Sequence, residues 1–274
     1  VFTKNFTAQV PLEFKNGALN YNMNWYYGPA KYEILNDYDK NLDEILPLGW
    51  GIFGWINRYI FIPVFGFISA LGVGYGIAIV LFTILVRIVM SPVTYKSYLS
   101  QAKMKVLRPE ITELNEKFKD NPMKKQQETM KLYSKAGVNP MAGCLPALMQ
   151  MPIFYALFQF FPSMFDLRQK SFLWADDLSS YDSIYQLPFH IPFYGSHVSL
   201  FPILASIAIF FYMKMTTGDQ AMSTPQQEGM PDMGKIMKIM IYISPVMMLF
   251  FFNNYASGLS LYYFISNLIT IGIM

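Results

Sequence analysis

The chain has 274 residues, of which 53% are hydrophobic and 17% aromatic, while Asp, Glu, Lys and Arg together make up only 14%, against roughly 25% charged residues in an ordinary globular domain. That composition excludes a disordered chain and argues against a wholly water-soluble one. A single cysteine, Cys144, excludes an intrachain disulfide framework and a Cys-based zinc cage, and the net charge of +3 is too small to point to a partner.

Val1 is not an initiator methionine and no charged-then-apolar leader follows it, so the sequence reads as a fragment that begins inside a longer protein. From Phe6 to Phe14 apolar residues alternate with polar ones, and after Asn16-Gly17 the alternation resumes in Leu19, Tyr21, Met23 and Trp25. Alternation around Asn-Gly predicts a β-hairpin. A lone hairpin is marginal, so residues 1–46 are expected to be the end of a larger β domain. Within them Leu35, Tyr38, Leu42 and Ile45 form a helical stripe.

The apolar run from Gly51 to Met90 is about twice what a ~30 Å hydrocarbon core requires and must be two elements. Residues 47–71, with Trp50, Trp55, Arg58 and Tyr59, read as an amphipathic helix lying in the interface; a spanning helix is the alternative. Residues 72–274 form the expected membrane core, with spans at about 73–93, 140–161, 198–215, 236–252 and 259–274. Ten Lys and Arg lie between Ser91 and Asn139 but two between Pro162 and His197. The positive-inside rule therefore makes the first loop cytoplasmic and puts the N-terminal fragment outside. Met104, Leu107, Ile111, Leu114 and Phe118 step at helical spacing, and after Asn121-Pro122 a second stripe follows, which predicts a helical hairpin over 94–137. Its Lys117, Lys119, Lys124 and Lys125 are either a solvated face with topogenic cations or a docking surface for an anionic partner such as ribosomal RNA.

No catalytic inventory emerges. His190 and His197 are the only histidines, both in the 162–197 loop; no Asp or Glu lies in any span, and there is no phosphate-binding glycine loop. The chain is expected to be no enzyme, with no cofactor and no metal, acting by binding and geometry.

Arg87 stands apart. It follows Val73 by about 21 Å of helix, so it lies inside the core, where an arginine costs roughly 2.5–3.5 kcal/mol unless it reaches water or a partner. Either its side chain snorkels to the interface or it faces a wet cavity, with Thr83 on its face and Gln150, Ser206, Tyr262, Tyr263, Ser266 and Asn267 on other spans.

Three motifs carry a family resemblance. Val138-Asn139-Pro140-Met141-Ala142-Gly143-Cys144-Leu145-Pro146 with Gln150-Met151-Pro152-Ile153-Phe154 resembles the start of the second core helix of the YidC/Oxa/Albino insertases. Ser257-Gly258-Leu259 through Tyr262-Tyr263 and Ser266-Asn267-Leu268 resembles the last core helix; Thr83 and Arg87 with Ser91-Pro92-Val93-Thr94 resemble the first. The resemblance covers roughly Trp50 to Met274 in order. It implies an α-helical polytopic membrane protein: a five-helix insertase core with an interfacial helix and a cytoplasmic hairpin, preceded by the end of a β-sandwich domain, of the Gram-negative bacterial type. It further implies a hydrophilic client-binding groove with Arg87 as its charge and Thr83, Gln150 and Tyr263 in its lining. Nascent membrane proteins, the ribosome, the Sec translocon and lipids are the implied partners, DNA is not, and the bacterial inner membrane is the implied location. A transporter or channel with an anion site, or a scaffold subunit, are the rival readings. The Met-rich surfaces, Met149 and Met247 among them, are either adaptable client contacts or ordinary packing.

Overall fold

The structure is a computed structural model that describes residues 7, 9, 11–12, 24–38, 40–118, 121–137, 145–216 and 233–273. The expected hairpin between Phe6 and Trp25 lies almost wholly outside the described residues. The helical stripe from Leu35 to Ile45 is not one helix but two turns, α1 (Tyr32–Asn36) and a 3₁₀ turn (Leu42–Ile45). Asn41, at φ +54°, breaks them apart, an αL position that asparagine tolerates well.

Residues 51–70 form a continuous helical rod in which a π-helical turn, Asn57–Phe61, separates α2 (Gly51–Ile56) from α3 (Ile62–Ala70). Asn57 opens the turn. Its amide is fully buried and donates to Leu48 O at 2.7 Å and Ala156 O at 2.9 Å, which ties the rod to α7. One face buries Phe61 and Phe65 edge-on to Phe82 and Phe160. The other face leaves Trp50, Trp55 and Tyr59 exposed.

The helices α4 (Tyr75–Val106), α7 (Leu145–Ser163), α8 (Leu200–Thr216), α9 (Met233–Phe252) and α10 (Ser257–Ile273) make the bundle. At ~1.5 Å per residue each runs about 25 Å or more, close to a bilayer's apolar thickness. The ends of α4 differ from expectation. It does not stop near Val93 but continues through Pro92 to Val106, so the first span and the first arm of the hairpin are one 32-residue rod. Thr94 Oγ1 donates to Met90 O and Ser91 O just beyond the proline. The rod bends over at Leu107 into α5 (Arg108–Lys117), which packs against α6 (Pro122–Lys135) through buried Ile111 and Tyr133. Asn121 caps α6 by accepting from Lys124 N.

Helix α10 is the centre of the bundle, packed against α8, α4 and α7, and its residues from Ser257 to Tyr263 are all buried. At the end of the bundle away from the α5–α6 hairpin, here the distal end, the loop between α7 and α8 folds back over the helix termini. This loop carries two strands that sequence alternation did not reveal, β1 (Tyr185–Ile191) and β2 (Gly195–Val198), paired antiparallel. Three sets of bonds fasten it. Asp182 Oδ2 accepts from Leu200 N, Phe201 N and Trp174 Nε1, each at 2.9 Å, which caps α8. Asn253, fully buried after α9, donates to Tyr194 O and His197 O and accepts from Ser199 N. Ser257 N and Gly258 N, the first amides of α10, donate to Ser180 O and Leu178 O. Two of the orphan N–H groups of each of two helices are thus satisfied by one loop.

Gly258 is needed for that approach, since a Cβ there would meet Leu178 O and Phe161 Cδ1 at 3.0 Å. Gly258→Ala should cost about 1–3 kcal/mol by pushing α10 off the loop, read as a lowered Tm in detergent. Burial pushes the Asp182 carboxyl above the ordinary carboxylate range despite the donors it accepts from. A folded pKa above the unfolded one means that the protonated form favours folding. The loop's stability is therefore fully present below about pH 4 and declines as pH rises through the folded pKa. Amide exchange of residues 180–200 should accelerate from pH 4 to 7 beyond the intrinsic rate, and Asp182→Asn should flatten that excess.

Candidate functional site

The fold places the polar residues of α4 and α10 face to face. On α10, Tyr262, Ser266 and Thr270 recur every fourth residue and are buried, and on α4 Arg87, Ser91 and Tyr95 share the same spacing, running from the half-buried Arg87 to the exposed Ser91 and Tyr95. Arg87 Nε donates to Ser266 Oγ at 2.6 Å. The half-buried guanidinium then borders a cavity of about 330 Å³ lined by Arg87, Ser91, Pro92, Thr94, Tyr95, Tyr98, Thr270 and Ile273. Its lining ends with the last turn of α10, which sets the cavity at the hairpin end. Tyr98 also lies beside Tyr212 of α8 and Thr270.

Arg87 has no carboxylate partner among the described residues, and none of the spans carries an Asp or Glu. Its recorded hydrogen-bond partner is the Ser266 hydroxyl. Of the other residues singled out from the sequence, Thr83 is one turn distal on α4 and fully buried, and its hydroxyl is turned onto Ile79 O at 2.7 Å. Tyr263 is buried among Phe154, Phe252 and Tyr262. Gln150 of α7 sits next to the Tyr262 and Tyr263 hydroxyls, yet its Nε2 and Tyr263 Oη are buried without a hydrogen-bond partner. The same holds for Ser206 Oγ and Ser260 Oγ. The bundle thus joins one charge at the cavity wall to unpaired polar atoms deeper inside.

Tyr95, Tyr98, Tyr212 and Thr270 were not picked out from the sequence, although the fourfold spacing after Arg87 and after Tyr262 was there to be read. Ser91 entered only as part of a motif. On the hairpin, Lys117 and Lys124 are exposed and Lys125 is half-buried, while Lys119 lies outside the described residues. Lys131 pairs with Glu128 at 2.7 Å and so is not a free cation.

The family model described as 60Kd inner membrane protein matches residues 66–274. A membrane protein insertase YidC of Parabacteroides distasonis is 48% identical over 279 residues, covering 97% of this chain and 43% of that protein. The YidC insertase of Bacteroides fragilis is 45% identical and covers 98% and 44%, and that of Porphyromonas gingivalis is 43% identical and covers 98% and 45%. The chain therefore spans less than half the length of these curated relatives. Among solved structures, an active YidC insertase crystal structure with the first transmembrane domain resolved superposes with a TM-score of 0.52 at 26% identity, over 88% of this chain and 52% of that one.

Removing a buried hydroxyl that has no partner relieves a desolvation cost of about 1–3 kcal/mol. Tyr263→Phe should accordingly leave thermal stability in detergent unchanged or higher. A loss above about 1 kcal/mol would mean that water or another group satisfies the Tyr263 hydroxyl in solution.

Proposed function

Because the chain belongs to the 60Kd inner membrane protein family, the family of the YidC insertases, we propose that it moves client transmembrane segments from the cytoplasm into the bilayer by way of the Arg87 cavity. The observation that carries this reading is the pairing of an arginine without a carboxylate, at a cavity on the hairpin end, with a distal end closed by the α7–α8 loop. In such a groove water reaches the charge from one side only. Acidic groups on a client's tail are attracted to Arg87 in a medium of lower dielectric than water, while Thr83, Gln150 and Tyr263 form the deeper lining. The client's apolar segment then leaves sideways into lipid, driven by roughly 25 cal/mol per Å² of apolar surface removed from water. No nucleotide enters the scheme, and the protein acts without catalysing a covalent step.

The remaining assignments rest on the same reading. The protein sits in the bacterial inner membrane with the distal end and residues 1–46 on the periplasmic side. Residues 47–71, whose exposed face carries Trp50, Trp55 and Tyr59, lie along the interface, and residues 72–274 form the insertase core. Lys117, Lys119, Lys124 and Lys125 dock the ribosome, and the Sec translocon is a second partner.

Reconstituted in lipid vesicles, Arg87→Lys should keep most insertion of a small acidic-tailed client, because the cation is retained. Arg87→Ala should lower it by at least about tenfold, equivalent to about 1.4 kcal/mol of attraction, while the protein still accumulates in the membrane. Wild-type protection of several such clients by Arg87→Ala would sink the proposal. In a Cys144→Ser background, cysteines at Lys124 and Asp177 should react with an impermeant maleimide from opposite sides of the membrane, and labelling of both from one side would overturn the orientation.

A further inference from the structure

Among the described residues four that are not glycine hold a positive φ: Asn41, Gln169, Leu173 and Phe193. Asparagine visits this region readily, but a bulky apolar side chain in it is a strained outlier. Leu173 (φ +54°) and Phe193 (φ +67°) are also among the most exposed apolar residues of the distal loop, at 69% and 91%. Strain and exposure coincide at two turn tips, whose side chains are left largely in the open.

Their neighbours fix their height on the bundle. Phe193 O accepts from Asn254 Nδ2, and the adjoining Tyr194 ring packs edge-on to Phe250 at 5.3 Å, two residues before the end of α9. The Leu173 turn, closed by Phe172 N to Ala175 O and Ala175 N to Phe172 O, sets the Phe172 ring against Gly76, the second residue of α4. The two tips are thus tied to helix ends on the distal side, Phe193 to the last turn of α9 and Leu173 to the first turn of α4. Below Phe193 the exposed Val246, Met247 and Phe250 of α9 continue the same apolar strip. Phe189 and Tyr185 on β1 of the same loop are also more than half exposed.

We infer that the α7–α8 loop is a membrane anchor, with Leu173 and Phe193 inserted into the interfacial zone of the leaflet at the distal end. Lipid is the occupant because the patch is continuous with the apolar surface of α9, and because aromatic and aliphatic tips at the height of helix ends match the chemistry of a headgroup and acyl boundary. Anchoring holds the loop that closes the distal end against lateral drift. The inference rests on the membrane-embedded fold and not on the insertase reading, so a lack of insertion activity would leave it standing.

The test places single spin labels at Leu173→Cys, Phe193→Cys and, as a reference on the same loop, Asp176→Cys, in the full-length Cys144→Ser protein in nanodiscs of phosphatidylethanolamine and phosphatidylglycerol. Labels at 173 and 193 should collide with oxygen several-fold more, and with a water-soluble nickel chelate several-fold less, than the label at 176. Nickel access at 173 and 193 equal to that at 176 would overturn the inference, including the case in which a soluble protein covers the tips, since none is in the nanodisc. Phe193→Asn keeps the αL turn without the apolar side chain. In that background the label at 173 should gain nickel access, and an unchanged value would mean that the two tips are not one anchor.

Discussion

The bond from Arg87 Nε to Ser266 Oγ, 2.6 Å long, is where the polar interior of this bundle is decided. A guanidinium that far inside an apolar bundle is tolerated only where donors and acceptors meet it. The stripes on α4 and α10 supply hydroxyls and no carboxylate. A neutral partner orients the charge without cancelling it, whereas an ion pair would leave nothing to attract an anion. The cavity lies beside the same charge, with Thr270 of α10 and Ser91, Thr94, Tyr95 and Tyr98 of α4 in its wall.

The distal end is built on the opposite rule, dense hydrogen bonding, although Asp182 Oδ1 and Ser260 Oγ stay unpaired. Asn253 uses its carbonyl and both amide hydrogens, Asp182 Oδ2 gathers three donors, and the first amides of α10 find carbonyls in the loop. Around these the aromatic cluster of Phe61, Phe65, Phe82 and Phe160 packs with centroids 5.3–5.9 Å apart. The bundle is thus densely bonded at the distal end and carries a cavity beside Arg87 at the hairpin end. That asymmetry also separates the rigid part from the appendage. The α5–α6 hairpin joins the bundle through the continuous rod of α4 and has few buried residues of its own, Ile111 and Tyr133 among them.

Composition and periodicity were enough to identify a polytopic helical membrane protein, to count and order the five bundle helices and to single out Arg87, because burial in lipid leaves long apolar runs and makes an embedded cation conspicuous. The helical hairpin was legible for the same reason, through its regular stripes. The β-hairpin expected near the N-terminus falls almost entirely outside the described residues.

What only the tertiary structure decided depends on partners distant in sequence. The passage of α4 through Pro92 could not be read from local preference, since proline ordinarily ends or kinks a helix, and here the helix continues for fourteen residues beyond it. Strands β1 and β2 were hidden because the pair is largely exposed and its register is broken between Gln186 and Ile191, leaving no clean alternation. The role of Asn57 came from a carbonyl 99 residues away, and that of Asn253 from a loop more than 50 residues before it. Arg87 itself was evident in the chain, but its partner Ser266 lies 179 residues on. Sequence marks which groups must be satisfied, and only the packed bundle determines what satisfies them.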